Sequence, residues 1–563
     1  MRWIICSTIV LMGFIAGALA EVKPVVYDHP LAIRQQQSVP RQLLSLTPRR
    51  YDEWLNVRIN SDMTGQVQNE QQIVVNPQNP NNLVAVWRDF RLGYRRVGMG
   101  RSFDGGRTWF DSLFYEPTYA WQSDPGLTWH SSGAIYAIVL SYYPNFQGED
   151  GLFVSKSLDG GMSWGTFVPA VNAIPNSFED KELIACDRTG GLYDGNLYIA
   201  WARFTNNMSV SRITMVRSTT EGSTWEQPVS VSDGTGVQWP LPAVGANGEV
   251  YVAWVKYSPP GIYMDQSLDG GVSWGGDRLI QSTDFASAYI NPYLMIFSYP
   301  AMDVDITNGP FHGFMYIAYA DQMAGSSDTD ILFTASQDGG NSWTHPIRLN
   351  DDSFNNGCDQ FHPWLVCDEE GILHLIFYDR RNDPGQNLYM DLYYTYSTNA
   401  GLSWAPNRRI TNVSSNPAND SLDSGLIGEY NGLAVRNGII HPIWTDTRFG
   451  HQDTFTAVWQ DTVSSIWEGE TASNNGFPLG SFLHVSPNPC NGEVRVSLTT
   501  PIGGDVQVAI FDILGRRVVT LFDGDLIAGN PQWSWKPDAG AGVYFVRARW
   551  GKRTEWKKIV YVP

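Results

Sequence analysis

Apolar runs of about four to eight residues, rich in Val, Ile, Tyr and Trp, recur along most of the chain. Gly, Asn and Asp separate them, and runs with this composition and these boundaries predict β-strands. The clearest class ends in an aromatic residue or Leu and occurs at 83–87, 135–140, 197–201, 250–254, 315–319 and 373–378. A short apolar run precedes each of these, and two more strands are expected after it. The pattern therefore predicts a repeated unit of four strands.

Four strands per repeat is typical of one blade of a β-propeller. After the last complete unit, residues 432–435, 439–444 and 454–459 supply three strands of a further unit. The run at 54–59, ahead of the first unit, predicts the missing strand. Pairing it with the last unit closes the ring and removes exposed strand edges. We predict an all-β fold with a seven-bladed propeller over residues 51–465, and a six-bladed ring is the alternative.

One turn pattern, Ser-x-Asp-x-Gly-x-x-Trp, occurs between the predicted third and fourth strands of six units. The intact copies contain Asp104, Asp159, Asp269 and Asp338. In the two altered copies, Thr220 and Asn399 replace the Asp. An Asp carboxylate accepts backbone N–H groups, Gly permits positive φ, and Trp covers the turn. We therefore predict a structural role for these aspartates.

This pattern resembles the Asp-box, or BNR, repeat of the sialidase-like β-propellers. The copies recur at intervals of about 50 to 70 residues, which is a repeat period that a propeller produces. The resemblance implies a member of the sialidase-like superfamily. It is also the reason for the six-bladed alternative, because the catalytic sialidase domain has six blades.

The first residues predict a secretory signal peptide. A basic start at Met1-Arg-Trp is followed by a mostly apolar run at 4–16 and by Ala18-Leu-Ala20, which fits a cleavage site. We assign residues 1–20 to the signal peptide and 21–50 to a leader. No other run approaches the about 20 apolar residues of a membrane-spanning helix, so no transmembrane segment is expected.

Residues 483–563 predict a small β-sandwich of about seven strands, joined to the propeller by a polar linker at 466–482. The characteristic runs are Ser-Pro-Asn-Pro at 486–489, Leu-Gly-Arg-Arg at 514–517, Gly-Val-Tyr-Phe-Val at 542–546 and Lys-Lys-Ile-Val-Tyr-Val at 557–562. Their order resembles the C-terminal sorting domain (type A) of the bacterial type IX secretion system. The resemblance implies export through the periplasm, the outer-membrane secretion machinery as a partner, and a secreted or cell-surface location. A generic immunoglobulin-like accessory module is the alternative.

Composition and charge narrow the classes of partner. A net charge of −19 argues against nucleic acid, because phosphates need a basic surface. Beyond the signal peptide the cysteines are Cys186, Cys358, Cys367 and Cys490. They are expected to be buried free thiols, with a Cys358–Cys367 disulfide as the alternative. No Cys/His spacing predicts a metal site, and no cofactor is expected.

Charged and aromatic residues repeat in the loops that should lie on the face opposite the Asp-boxes. Candidate ligand-binding residues follow the second strands: Arg88, Asp89, Arg380, Arg381, Asp446 and Arg448. Candidate catalytic residues precede the first strands: Asp124, Asp180, Glu429 and Tyr430. Guanidinium groups bind carboxylates bidentately and aromatic faces cover sugar rings. These loops therefore predict a site for an acidic glycan.

The sialidase resemblance implies three arginines on the substrate carboxylate, a Tyr nucleophile with a Glu partner, and an Asp acid/base. The Phe/Tyr-Arg-Ile-Pro motif of that family is absent, and Trp87-Arg88-Asp89-Phe90 is the nearest match. Adjacent strand residues point to opposite faces, which counts against Glu429 and Tyr430 acting together. Three functions stay open: an exo-sialidase, another glycoside hydrolase or lyase acting on acidic glycans, and a non-catalytic surface propeller. In the third, the Asp-x-Arg repeats are structural ties.

Overall fold

The computed structural model describes most of the chain between residues 54 and 561. The described residues are 54–115, 119–143, 150–172, 174, 176–206, 208–291, 293–419, 426–459, 483–488, 490–498, 504–512, 516–526, 531–537, 542–550 and 553–561. The predicted signal peptide (1–20), leader (21–50) and linker (466–482) lie outside them. The chain divides into two compact units, residues 1–474 and 475–563.

The described part of the first unit contains seven four-stranded antiparallel sheets, numbered here along the chain. Sheets 1 to 3 consist of Gln68–Asn76, Asn79–Asp89, Arg96–Ser102 and Phe110–Leu113; Trp121–Trp129, Ile135–Tyr142, Asp150–Ser157 and Val168–Val171; and Phe178–Cys186, Leu197–Thr205, Val210–Ser218 and Val229–Ser230. Sheets 4 and 5 consist of Val237–Val244, Val250–Tyr257, Pro260–Ser267 and Arg278–Ser282; and Ala301–Val304, Met315–Gln322, Thr329–Ser336 and Ile347–Arg348. Sheets 6 and 7 consist of Gln360–Cys367, Leu373–Asp379, Asp391–Ser397 and Arg408–Arg409; and Gly432–Arg436, Ile439–Asp446, Asp453–Trp459 and Trp54–Arg58.

The sheets contact one another in a closed cycle through their first strands, which we call the inner strands. Each inner strand lies against the inner strand of the next sheet, and that of sheet 7 lies against that of sheet 1. Large apolar side chains of the second strands fill the space between sheets. The largest are the fully buried Trp87, Trp201, Trp254 and Trp444. The arrangement is an all-β fold consistent with a β-propeller.

Sheet 7 joins the two ends of this unit, as the sequence predicted. Trp54–Arg58 pairs antiparallel with Asp453–Trp459, with Trp54 opposite Trp459. The two indole rings meet edge to face at 4.8 Å, and Arg58 forms a 2.6 Å ion pair with Asp453. Ring packing and ladder hydrogen bonds together hold the first described strand in place.

Five of the seven inner strands are interrupted by a bulge near their start, and these bulges position residues of the candidate functional site. Pairing with the second strand shifts register between Asn69 and Gln72 in sheet 1, and at the matching point in sheets 2, 3, 4 and 6. One residue of each bulge has positive φ: Glu70, Asp124, Lys181, Trp239 and His362, at 45° to 61°. Non-glycine residues adopt this conformation at a cost, and bulges redirect side chains at functional sites.

The Asp-box turns connect the third and fourth strands. In the turn of sheet 5, the Asp338 carboxylate accepts hydrogen bonds from Ser342 N (2.9 Å), Ser342 Oγ (2.6 Å) and Ser336 Oγ (2.9 Å). These bonds lower the pKa of Asp338 to about 2. Gly340 has φ of +79° and donates its N–H to Ser336 Oγ. The other intact aspartates bond the same way: Asp104, Asp159 and Asp269.

Two smaller elements lie outside the seven sheets. A hairpin of Ser287–Ile290 and Leu294–Phe297 separates sheets 4 and 5, and a 3-10 turn spans Pro417–Asn419. Met295 and Phe297 of the hairpin belong to one apolar cluster with Trp239, Tyr299 and Tyr430. The hairpin therefore packs beside the bulges of the inner strands.

The C-terminal unit contains two sheets around one apolar core. The first consists of Leu483–Ser486, Val494–Leu498 and Gln532–Trp535. The second consists of Arg517–Leu526, Gly504–Asp512, Gly542–Trp550 and Arg553–Tyr561. Side chains from both sheets, including Val496 and Val546, are fully buried. This arrangement is a β-sandwich.

The four cysteines of the described residues are free thiols. The alternative of a Cys358–Cys367 disulfide is therefore wrong. Burial raises the pKa of Cys186 to about 12, and it raises the pKa of Cys367 well above its usual value. Thiols that stay protonated are unreactive, so these side chains act as small apolar groups.

Candidate functional site

Each inner strand contributes one side chain to the same level near the axis of the ring. The residue lies two positions before the point where pairing with the second strand resumes or begins. Around the ring these residues are Glu70, Asp124, Lys181, Trp239, Tyr299, His362 and Tyr430. All seven are buried. The repeat thus places seven side chains, of six residue types, at one structural position.

Lys181 is the centre of this group. Its ammonium donates hydrogen bonds to Glu429 Oε2 (2.6 Å), Asp124 Oδ1 (2.7 Å) and Glu70 Oε1 (3.3 Å). Arg88 forms a 2.7 Å ion pair with Glu70. We call these five residues the Lys181 cluster. Buried carboxylates need such partners, because an unpaired charge in the interior is strongly destabilising.

Glu70, Asp124 and Glu429 bring carboxylate oxygens within 4.8 Å of one another, a spacing that also suits a metal ion. The Lys181 ammonium bonds to all three of these carboxylates. It supplies the positive charge that a cation would supply, and it directs its donors at the same oxygens. The three carboxylates therefore fit an internal ammonium group.

The environment separates the pKa values of the cluster. Burial alone would raise the pKa of Glu429, but Lys181 and a hydrogen bond to Glu70 lower it to about 2. Burial raises the pKa of Glu70, against the opposing effects of Arg88 and Lys181. Burial alone would lower the pKa of Lys181, but Asp124 and Glu429 raise it well above its usual value. At neutral pH Glu429 is a carboxylate and Lys181 an ammonium.

A small, half-open cavity of about 20 Å³ lies next to Lys181, and we call it the axial pocket. Its lining is mostly aromatic and aliphatic: Leu183, Trp239, Pro240, Leu241, Tyr299, Pro300, Trp364 and Tyr430, with Lys181 and Glu182 as the charged members. Trp239 stacks on Tyr299 with ring centroids 5.6 Å apart. Aromatic rings beside a few polar groups are typical of ligand pockets.

Glu182 is the unusual polar group of the axial pocket. It is buried, and neither carboxylate oxygen accepts a hydrogen bond from another described residue. Burial and then the nearby Asp124 raise the pKa of Glu182 well above its usual value. A carboxyl group in such surroundings favours its neutral form and can donate a proton.

All four candidate catalytic residues lie at or beside the Lys181 cluster. Asp124 and Glu429 bond to Lys181, whose ammonium is 6.0 Å from the centroid of the Tyr430 ring. Asp180 is buried and accepts a hydrogen bond from Gln238 Nε2. Glu429 and Tyr430 both face Lys181, because they precede the regular part of their strand and follow Gly428 at φ +52°. The expected alternation of adjacent side chains therefore does not apply there.

The candidate ligand-binding residues fall into separate networks. Arg88 joins the Lys181 cluster, whereas Arg380 donates to Asn387 O (2.8 Å) and lies over the Phe361 ring. Three Asp-x-Arg pairs form the same local contact, with each Arg bonding the Asp two residues before it: Asp89 with Arg91, Asp379 with Arg381, and Asp446 with Arg448.

These Asp-x-Arg pairs reach towards the outer strands. Arg91 also binds Asp111 of the outermost strand of sheet 1. Arg448 donates to Asn56 of the closing strand and to Asn412. Arg381 contacts Asp351 and Asn407, which flank outer strands of sheets 5 and 6. Within the described residues, their contacts therefore lie at the rim of the ring.

Sequence reasoning did not choose several residues of the site as candidates, namely Glu70, Lys181, Glu182, Trp239, Tyr299 and Trp364, although all but Trp364 lie in the loops that it assigned to this face. A signal for them exists, since four of the seven axial residues precede a proline: Asp124, Trp239, Tyr299 and His362. Proline cannot donate to a β-ladder and is confined to edges and bulges, so a repeated X-Pro at strand starts indicates a repeated bulge.

Comparison with known proteins identifies the C-terminal unit. Residues 484–562 match the family described as the secretion system C-terminal sorting domain. The chain therefore ends in such a domain, as its motifs predicted, and this indicates export to a secreted or surface location. No curated protein matches the chain. Among the described residues, no helix is long and apolar enough to cross a membrane.

Solved structures similar to the chain include several propeller enzymes. An ulvan lyase of polysaccharide lyase family PL25 has 9% identity, with 72% of this chain and 96% of that chain covered and a TM-score of 0.44. The Hadza microbial sialidase Hz136 has 13% identity, coverage of 67% and 73%, and a TM-score of 0.40. A Trypanosoma rangeli sialidase has 12% identity, coverage of 80% and 85%, and a TM-score of 0.38. Likenesses at this level carry no argument about activity.

Proposed function

We propose that this chain is an exported, glycan-directed protein in which a seven-bladed β-propeller binds a sugar ring at the open side of the axial pocket. The observation that carries the proposal is an aromatic lining combined with Glu182, a buried carboxyl group whose oxygens have no partner among the other described residues. The seven four-stranded sheets and their cyclic contacts support the proposal of seven blades.

A sugar ring matches both parts of this lining. The apolar faces of a pyranose pack against aromatic rings such as Trp239 and Trp364, and its hydroxyl groups donate to carboxyl oxygens. Glu182 lines this pocket, and both of its carboxyl oxygens are buried without a hydrogen bond from another described residue. A buried group left without a partner costs free energy, so a ligand hydroxyl that bonds to Glu182 gains affinity.

The charge of the Lys181 cluster supports a ligand without a strong negative charge at this pocket. Lys181 and Arg88 are the two cations, and both already pair with buried carboxylates. They leave no net positive charge for a sugar carboxylate. We propose that Arg88 positions Glu70, and that Arg381 and Arg448 act as ties at the rim.

A second function, glycoside hydrolysis or lysis, is favoured by the opposite pKa shifts of two carboxyl groups. The pKa of Glu182 is raised by burial, whereas that of Glu429 is held at about 2 by Lys181. A neutral acid near an ionised carboxylate is the division of roles that such reactions use. In this proposal Glu182 donates the proton, and Glu429 with Asp124 or Tyr430 stabilises the charge that develops.

The test uses the full chain and two variants, Trp364→Ala and Glu182→Gln. Isothermal titration with neutral and acidic oligosaccharides measures binding, and a fluorogenic sialoside together with acidic polysaccharides measures turnover. Trp343→Ala is the matched control, because Trp343 is a half-buried tryptophan of an Asp-box turn. Binding that is lost in both pocket variants but kept in the control supports the binding function. Turnover that Glu182→Gln abolishes supports the enzyme, and no response to any glycan contradicts both.

The route of export is also a proposal. We propose passage through the periplasm and then through the outer-membrane secretion machinery, with the C-terminal domain as the address. Deleting residues 483–563 should leave the protein in the periplasm of a host that has this machinery. Normal appearance of the truncated protein outside the cell would contradict the proposal.

A further inference from the structure

The far ends of the inner strands bring a different set of side chains together. Trp129 is the last residue of the inner strand of sheet 2, Arg436 is the last of sheet 7, and Arg188 follows the inner strand of sheet 3 by two residues. The turns from first to second strands begin here, so this end lies on the same face as the Asp-box turns. We call these three residues the Trp129 mouth.

Two arginines approach the one tryptophan. The guanidinium carbon of Arg188 lies 4.3 Å from the centroid of the Trp129 ring, and that of Arg436 lies 5.9 Å from it. Arg436 also donates to Pro77 O at 3.1 Å, which ties it to sheet 1. Stacking on an indole holds a guanidinium in a fixed orientation and leaves its N–H edges available.

Arg188 keeps its hydrogen-bonding capacity. Its guanidinium forms no hydrogen bond or ion pair with any residue that the structure describes, although the side chain is half-buried. One acid in its electrostatic reach is Asp303 of sheet 5, whose oxygens accept the N–H groups of Cys367 (2.8 Å) and Val304 (2.9 Å). That carboxylate is already bonded to the backbone, so Arg188 has donors to spare.

Arg436 has a weak internal partner. Its Nε lies 3.9 Å from Glu369 Oε1, in a pair in which both side chains are about a quarter to a third exposed. Exposed pairs at this distance contribute little. An incoming carboxylate can therefore compete for Arg436.

We propose that the Trp129 mouth binds the carboxylate of a uronate residue in an acidic glycan, with Arg188 and Arg436 as its donors. A planar carboxylate matches the fork of a guanidinium, and two arginines on one tryptophan offer two forks. The chain carries a net charge of −19, and two arginines on one tryptophan place positive charge at the Trp129 mouth, which attracts anions. The choice of a sugar as carrier rests on the proposed function, whereas the carboxylate recognition does not.

The experiment is isothermal titration of the full chain with tetragalacturonate, with a neutral tetrasaccharide and with tetra-aspartate. Arg188→Gln is expected to weaken tetragalacturonate binding by about tenfold or more, and Arg188→Lys is expected to weaken it as well because the fork is lost. Arg436→Gln should have the same direction of effect. Arg107→Gln, an exposed arginine of the Asp-box turn of sheet 1, is the matched control and should change affinity by less than about twofold.

The outcomes separate this proposal from the axial pocket. Trp364→Ala should leave tetragalacturonate binding at the Trp129 mouth intact, and Arg188→Gln should leave neutral sugar binding intact. Unchanged tetragalacturonate affinity in Arg188→Gln, with folding verified by circular dichroism, overturns the proposal. Tetra-aspartate binding as tightly as tetragalacturonate overturns the sugar as carrier. If only the Trp364→Ala variant loses binding of the neutral tetrasaccharide, the result supports the axial pocket and does not contradict the proposal for the Trp129 mouth.

Discussion

At the start of the inner strands five carboxyl groups, one lysine and one arginine are buried together, whereas at the end of the same strands two arginines lie half-buried against one tryptophan. The carboxyl groups are Glu70, Asp124, Asp180, Glu182 and Glu429. Buried charges must be compensated inside the protein, so the ion pairs at the first end serve chiefly to stabilise the fold beside the axial pocket. Charges that touch solvent need no such compensation, so the second end is available to ligands.

The backbone conformation also differs between the two ends of the inner strands. At the start of the inner strands, residues such as Glu70 and Lys181 adopt positive φ within a bulge. Their ion pairs and the packing around them must hold that conformation in place. At Trp129 and Arg436 the strands remain regular up to their last residue. We therefore expect substitutions in the Lys181 cluster to change stability and those at the Trp129 mouth to change binding.

The largest expected effect is that of Lys181→Met. Removing the ammonium leaves Asp124, Glu429 and Glu70 buried without their shared partner, which should lower the free energy of unfolding by roughly 3 to 5 kcal/mol. Urea unfolding followed by fluorescence measures it. Lys156→Met is the control, because Lys156 pairs with Glu221 near the surface at 2.5 Å.

The Lys156 control should cost less than about 1 kcal/mol, as exposed ion pairs do. Equal losses in the two variants would show that the buried position adds nothing to the strength of the Lys181 contacts. The contrast between the two ends of the inner strands would then lose its physical basis.

The next largest effect is the pH dependence of folding stability that arises from Glu429. Its pKa of about 2 lies below the ordinary value of 4.5, so its ionised form stabilises the folded state above about pH 4.5, and this contribution is lost as pH falls towards 2. Glu429→Gln should therefore be less stable than the wild type by roughly 2 to 3 kcal/mol at pH 7. The difference should shrink in unfolding experiments between pH 4.5 and 2.

Glu182→Gln should show the opposite sign. The raised pKa of Glu182 means that its contribution is fully present below pH 4.5 and is lost as pH rises through the folded-state value. The variant should accordingly gain stability relative to the wild type as pH rises above 4.5. A parallel pH profile for the two variants would contradict the separate roles assigned to these carboxyl groups.

A smaller effect is expected at the Asp-box turns, which share a face with the Trp129 mouth. Asp338→Ala removes the acceptor of Ser342 N and should cost about 1 kcal/mol, because the turn is exposed and water replaces part of the loss. Asp338→Asn is the control and should lower the free energy of unfolding by only a few tenths of a kcal/mol. Asn399 already occupies the matching position in sheet 6 and accepts Ser403 N at 2.9 Å. Thermal unfolding of both variants measures the two losses of stability.

The smallest effect is that of Arg188→Gln on stability. Arg188 stacks on Trp129 but forms no ion pair or hydrogen bond within the described residues, so the free energy of unfolding should change by no more than about 0.5 kcal/mol. Urea unfolding of the same protein sample that is used for titration measures it. A loss comparable to that of Lys181→Met would mean that the Trp129 mouth is a structural element.

Local chemistry explains why much of the fold was predictable. The Asp-box turns use residues within eight positions of one another, such as Ser336, Asp338 and Gly340, so their hydrogen bonds can be inferred from the pattern. The pairing of Trp54–Arg58 with the last sheet was predictable because an incomplete unit needs a fourth strand. The sorting motifs of residues 484–562 were equally recognisable.

The site was less predictable, because it depends on residues far apart in the chain. Glu70 and Lys181 reach each other through bulges in sheets 1 and 3, and Glu429 precedes the inner strand of sheet 7. Simple strand alternation gives the wrong directions at a bulge. The arginines were misleading for a related reason. Arg88 lies near the end of the second strand of sheet 1, and Arg381 and Arg448 follow the second strands of sheets 6 and 7. Arg381 and Arg448, however, bind the aspartate two positions earlier and extend to the rim.

The strand that closes the ring has a consequence for the order of events during folding. Trp54–Arg58 comes first from any translocating machinery that feeds the chain from its N-terminus, and its partner Asp453–Trp459 emerges about 400 residues later. Sheet 7 can therefore form only when nearly the whole unit is present. Until then the first strand is an unpaired edge that can pair wrongly with other chains, so a factor that shields residues 54–58 during export would raise the yield of correctly closed protein.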